Sequence, residues 1–175
     1  MLDIRFKTLL TISLVIIFAS GFTPKIPLPK TTVYVFLSET CPICQSYTLT
    51  LKELYNKYKD QHIDFIGVFP NYYSTQKSIE EFRKNYSIPF GLTLDKNSVF
   101  TNHFKATITP EVFVETTDKK IIYSGRIDDS FYALGKRRTI ITSTELADAL
   151  SQIASKQPVK TPKTQAVGCI IDASK

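Results

Sequence analysis

The 175-residue chain has no tryptophan, one methionine, two histidines and only three cysteines. So small a stock of thiolate and imidazole excludes the zinc modules built from two ligand knuckles, which need four ligands at short spacings. Beyond one CxxC pair the supply is Cys169, His62 and His103, with no ligand spacing among them. No metal and no cofactor is expected. Charge of one sign is also scarce: 22 Lys and Arg against 16 Asp and Glu leave a net +6. The basic residues are scattered, densest at Lys136-Arg137-Arg138 and among Lys156, Lys160, Lys163 and Lys175. They read as solvated surface, and no nucleic-acid module is present. Internal repeats are lacking, as is an apolar run of the about 20 residues that a spanning helix needs. The longest run, Leu9 to Ala19, is broken by Thr11 and Ser13, follows Arg5 and Lys7, and leads into Ala19-Ser20-Gly21. That pattern is a secretory signal over residues 1–21, with an uncleaved membrane anchor through residues 8–20 as the alternative. The segment holds no cysteine, which excludes a lipoprotein. Export implies an oxidising compartment where disulfides persist. An odd cysteine count leaves one thiol over when a pair closes.

What remains is ordinary for a globular protein, 43% hydrophobic and 22% charged, and long enough for one domain with a substantial core. A spacer over residues 22–30 carries Pro24, Pro27 and Pro29. The domain is assigned to residues 31–156 and a C-terminal tail to residues 157–175. Thr31 to Ser38 and His62 to Pro70 read as buried strands. Between them, from Cys41 to Lys59, Tyr47, Leu51, Leu54, Tyr55 and Tyr58 form an amphipathic stripe. Ser78-x-x-Glu81 offers a capping box for a second helix bearing Ile79, Phe82 and Tyr86. A short strand (Phe90 to Leu94) and a short helix (Asn97 to Ala106) follow. Glu111 to Glu115 and Lys120 to Ser124 make a hairpin about Thr117-Asp118-Lys119. Thr142-x-x-Glu145 caps a last helix with Leu146, Ala147, Leu150, Ile153 and Ala154 inward. The order β-α-β-α-β-α-β-β-α predicts an α/β sheet covered by helices on both faces.

Cys41-Pro42-Ile43-Cys44 stands where the first strand feeds the first helix. A cysteine there faces unpaired backbone N–H groups and the positive end of the helix dipole, which favour thiolate over thiol. Cys41 is therefore the candidate nucleophile and Cys44, one turn on, the candidate resolving thiol. With no second CxxC module, an outside redox partner must reset the pair.

With CPIC after a strand, Thr109-Pro110 before a later strand, and a β-β-α ending, residues 30 to 155 resemble a thioredoxin-fold protein of the redoxin branch. That branch includes thiol-specific antioxidant proteins and exported thioredoxin-like reductants. The implied architecture is a central mixed sheet flanked by helices, with the segment from Phe90 to Ala106 as the redoxin-type insertion. The resemblance also implies that Pro110 is cis beside the disulfide and that the Thr109 backbone binds a substrate peptide. A narrower similarity, to exported redoxin-domain proteins, rests on Cys41-Pro42-Ile43-Cys44-Gln45, Thr109-Pro110-Glu111-Val112-Phe113, Gly125-Arg126-Ile127-Asp128-Asp129 and Val167-Gly168-Cys169-Ile170-Ile171. It implies a bacterial periplasm or cell envelope, with the protein secreted or membrane-anchored, and protein thiols and disulfides as partners.

The departures from the family are specific. Val35 stands where thioredoxins bury a proton-relaying acid, which leaves Glu39 and Glu111 as the nearest acids by sequence, and Thr40 replaces a tryptophan. Tyr34 and Ser38 stand where peroxiredoxins carry proline and threonine, which disfavours a peroxidase. A thiol peroxidase with Cys41 peroxidatic, and a Cu(I)-binding assembly factor using Cys41, Cys44 and His103, are the alternatives to a thiol–disulfide oxidoreductase. Cys169 is a candidate third redox thiol or a packing cysteine. Arg126, Asp128 and Asp129 read as salt-bridging residues, and Tyr72-Tyr73 as a candidate binding surface.

Overall fold

The computed structural model describes residues 30–173. The expected signal or anchor (1–21) and all of the spacer except Lys30 lie outside the described residues. Among these residues, no helix is long and apolar enough to cross a membrane.

Strands β1 (Thr31–Phe36), β2 (Ile63–Phe69) and β3 (Gly91–Leu94) run parallel. Strands β4 (Ile108–Thr109), β5 (Glu111–Thr116) and β6 (Ile121–Gly125) follow, and the central sheet has the order β3-β2-β1-β5-β6. β5 is antiparallel to both of its neighbours, so the sheet is mixed. Side chains alternate between the faces of a strand. In β1, Val33 and Val35 enter the larger core, whereas Tyr34 and Phe36 enter a smaller one. Helices α1 (Pro42–Tyr58), α2 (Gln76–Tyr86) and α4 (Glu145–Ala154) pack on the larger core, and α3 (Val99–Phe104) covers the other face through Phe104.

Helix α1 forms because Pro42 takes the first helical position, where its missing N–H costs nothing. Its buried stripe is Ile43, Cys44, Tyr47, Thr48, Leu51, Leu54 and Tyr58. Leu51 is fully buried, a contribution of about 1.5–3 kcal/mol for such a side chain. Tyr55 packs edge-on against Phe65 of β2.

Two expected caps fall elsewhere. The capping box of α2 is Thr75 with Ser78: the Thr75 hydroxyl accepts from Ser78 N–H at 3.0 Å and Ser78 Oγ accepts from Thr75 N–H at 3.0 Å. Ser78 is thus the third helical residue, not the cap, and a hydroxyl there serves the role usually held by Glu or Gln. At α4 the cap position is Thr144, and Thr142 is drawn off to Asp129. His62 closes a 3-10 turn (Lys59–Gln61) in the left-handed region, φ 60°, so β2 begins one residue later than expected.

Beyond the expected elements lies a small hairpin, β7 (Phe131–Ala133) with β8 (Lys136–Arg137). The tail is laid along the domain. Near its start, Ser124 N–H donates to Pro162 O (2.9 Å) and Thr164 N–H to Ser124 O (2.9 Å), on the edge of β6. Val159, Ala166 and Val167 are buried or packed against the core. The tail ends in strand β9 (Cys169–Ile170), antiparallel to β4 with Thr109 opposite Cys169. Ile171 N–H donates to Thr107 O at 3.0 Å, and Asp172 is clasped by Tyr72 N–H (2.9 Å) and by Asn71 Oδ1, which accepts its N–H (2.8 Å).

Candidate active site

Cys41 caps α1 with extended backbone, φ −84° and ψ 115°. Its sulfur is buried beside Cys44, Thr109 and Cys169. The Cys44 thiol donates to it, and the Ile43 and Cys44 N–H groups at the helix start point to it. Together with a hydrogen bond from Cys169, these hold the Cys41 thiol down from 9.0 to about 5 against the opposing cost of burial. Cys44 is pushed well up by complete burial and by the negative sulfur of Cys41. Ser38 N–H donates to Cys44 Sγ at 3.4 Å. At neutral pH the pair is a thiolate next to a thiol, a division of labour suited to nucleophile and resolving group.

Thr109 touches all three sulfur-bearing residues. The Thr109–Pro110 peptide is cis, and the Thr109 carbonyl lies 3.4 Å from Cys41 Sγ. The Thr109 hydroxyl reaches Cys44 and lies 3.5 Å from the Cys169 carbonyl. Thr109 is fully buried. The sulfurs of Cys41 and Cys169 stand 2.6 Å apart, about half an ångström beyond a covalent S–S bond of about 2.05 Å. Burial and the negative Cys41 sulfur raise Cys169 to about 12.

Residues 41, 44, 109, 110 and 169 are therefore brought together, and several other candidates are not. Glu39 is held by the hydroxyls of Ser74 (2.8 Å) and Ser78 (2.7 Å), fixing the start of α2. Glu111 accepts from Thr107 N–H at 3.1 Å, with its carboxyl raised by burial. His103 pairs with Glu115 at 2.5 Å on the α3 face, while the thiols belong to the α1 side. No group of three His, Cys, Asp or Glu is placed to hold a metal among the described residues. Tyr34, at the peroxiredoxin proline position, packs with tilted rings against Phe100 and Phe104 on that same far face.

Arg126 binds Glu145, and Tyr47 OH donates to Asp128 at 2.6 Å. Asp129 is held down to about 2 by the Thr142 hydroxyl, the N–H groups of residues 142 and 143, and Arg138. These three residues brace α1 and α4. Tyr72 and Tyr73 are partly exposed, and Tyr73 OH meets Ser38 Oγ (3.2 Å) and Thr40 Oγ1 (3.3 Å) at the mouth of the motif.

Sequence reasoning missed the two glycines that let the tail approach. A Cβ on Gly168 would lie 2.1 Å from Thr109 O, and one on Gly125, at φ 135°, would lie 2.2 Å from Thr164 Oγ1. A glycine in a strand-like run next to a cysteine was the available signal for close backbone contact.

A family model described as Redoxin matches residues 28–131, more than half of the chain. No curated protein matches. Among solved structures, a hypothetical protein from Sinorhizobium meliloti is 20% identical with a TM-score of 0.73, over 84% of this chain and 81% of its own. An uncharacterized conserved protein from Geobacillus kaustophilus is 22% identical with a TM-score of 0.71, over 82% and 77%. StoA from Bacillus subtilis is 16% identical with a TM-score of 0.52, over 74% and 84%. At these identities the likeness is one of fold, which is thioredoxin-like.

Proposed function

The chain belongs to the redoxin family, and on that premise we propose that it is a thiol–disulfide oxidoreductase acting on protein substrates through Cys41 and Cys44. The observation that carries the reading is the Cys41 sulfur, set at a helix start, lowered to about 5 and backed by a buried Cys44 thiol. Cys41 thiolate attacks a substrate disulfide, forming a mixed disulfide and releasing one substrate thiolate. Cys44 then attacks the Cys41 sulfur, the second substrate thiolate leaves, and Cys41–Cys44 is left oxidised. Thr109 and Pro110 lie beside the reacting sulfur, and the Thr109 backbone edge is covered by β9, which a substrate peptide must displace to pair there. An external dithiol protein reduces the pair again; when the exchange runs in reverse, an external disulfide protein reoxidises it. The domain is assigned to residues 31–156 and the tail to residues 157–175. The signal-like pattern of residues 1–21 supports export to a periplasm or cell envelope.

The test is a redox titration of the Cys169→Ser protein against dithiothreitol or glutathione, read by the mass of alkylated species. Only Cys41–Cys44 can then form. A reversible couple near −250 mV or below marks a reductant, and one at about −120 to −180 mV an oxidant or isomerase. The absence of any reversible couple overturns the reading.

A further inference from the structure

Cys169 is one of three thiols at the site and has no part in the exchange just described. Strand β9 carries it. Residues 169 and 109 are register partners, the Gly168 backbone lies against Thr109 O, and Ile171 and Asp172 are fixed by Thr107, Asn71 and Tyr72. These contacts hold the tail on both sides of Cys169 and leave its sulfur 2.6 Å from that of Cys41. The neighbouring Ile170 is 80% exposed, so the strand is seated with its cysteine inward. A thiol fixed in this way is within reach of a bond to Cys41, with a short sulfur movement.

We propose that Cys169 is a third redox residue, which closes a disulfide with Cys41 in competition with Cys41–Cys44. This deepens the oxidoreductase reading and rests on it for the nucleophilic role of Cys41. In the mixed disulfide between Cys41 and a substrate thiol, Cys169 sulfur attacks the Cys41 sulfur. The Cys41–Cys169 bond forms, the bond to substrate breaks, and the Cys169 proton passes to the departing thiolate. Two protein thiols are oxidised and one substrate disulfide is reduced to two thiols. Attack of Cys44 on the Cys41 sulfur then exchanges Cys41–Cys169 for Cys41–Cys44, releasing Cys169 as a thiol with no net change in electrons. An external dithiol returns the protein to its reduced state.

The experiment oxidises the Cys44→Ser protein with limiting diamide, alkylates it and maps its peptides. The expected product is a monomer with Cys41 joined to Cys169 and no alkylated thiol. Recovery of alkylated Cys169, with Cys41 trapped only in dimers or free, overturns the proposal. A second variant, Gly168→Ala, keeps all three thiols but pushes β9 from Thr109. Closure of Cys41–Cys169 is expected to slow by about tenfold or more while Cys41–Cys44 closure stays within about twofold. Equal effects on both closures overturn the seating argument. A Cys169→Ser protein without a reversible couple is a failure of the oxidoreductase reading, a different result from loss of the Cys41–Cys169 bond in Cys44→Ser.

Discussion

Cys44 and Cys169 are neighbours of the same sulfur, and they are held there by different means. Cys44 lies three residues from Cys41 on the first turn of α1, is fully buried, and receives an N–H from Ser38. Its position is set by the helix itself and cannot change without unfolding that turn. Cys169 is 128 residues away in sequence and reaches the site on a two-residue strand. It depends on tail contacts at Ser124, Thr109, Thr107 and Asn71, each a hydrogen bond contributing about 0.5–1.5 kcal/mol. One thiol is part of the core; the other is delivered to it. A site can therefore hold one partner permanently and another at an adjustable occupancy, with no change in the chemistry of either.

The largest effect expected is from Cys41→Ser, which removes the sulfur common to both pairings. Reduction of a protein disulfide should fall by at least about a thousandfold, to background. Retention of half the activity would show that Cys44 and Cys169 act without it.

Acidity separates the three thiols next. Cys41 is depressed from 9.0 to about 5, so its thiolate stabilises the reduced fold in full above the unfolded value, and that stability is lost as pH falls toward 5. Cys44 and Cys169 are raised and stay protonated in the fold, and unfolded they begin to ionise only toward pH 8, so they add little slope below about pH 7.5. Reduced protein should therefore lose stability relative to Cys41→Ser as pH drops from 8 to 5, by at most about 1.4 kcal/mol per unit. Urea midpoints at several pH values measure this, and parallel curves would contradict it. Alkylation of Cys41 should show its half-maximal rate near pH 5.

Gly125→Ala and Gly168→Ala attack the delivered thiol from its two ends. The added Cβ would meet Thr164 in the first and Thr109 in the second, and Gly125 also has φ 135°. Each should cost about 1–3 kcal/mol and expose the tail to trypsin at Lys160 or Lys163. A tail equally resistant in both variants would mean that these approaches do not hold it. The smallest effect is at the clasp. Asn71→Ala removes the acceptor for Asp172 N–H, and should cost about 1 kcal/mol and speed alkylation of Cys169 more than that of Cys44.

The legible part of the molecule was the part whose signals are local. Apolar alternation in β1, the stripe of α1 and the CPIC turn lie within a few residues of one another, and the structure places these elements as their patterns imply. The helix caps were less legible, because hydroxyls are abundant before α2 and α4. Which one caps was decided by distant groups: Glu39 engages Ser78, and Asp129 draws off Thr142. The acids nearest the motif in sequence proved remote in chemistry for the same reason. Glu111 sits on an alternating strand whose parity turns it away from Val112 and the α1 side. The tail carried the weakest signal of all. Its contacts with Thr109, Ser124 and Asn71 span 38 to 101 residues, and neither propensity nor periodicity encodes such pairings.

The anchor at Thr164 has a further meaning as a tether. Were β9 to leave Thr109 while Thr164 stayed on Ser124, Tyr123 and Arg126, Cys169 would hang on a leash of five residues. Fully extended, such a leash reaches about 17 Å. One thiol confined to a sphere of that radius has a local concentration on the order of 0.1 M. Any free thiol would have to approach that concentration before it competed evenly for Cys41. The short strap sets an exclusion threshold against small thiols, and a docked protein disulfide passes it by bringing a leash of its own.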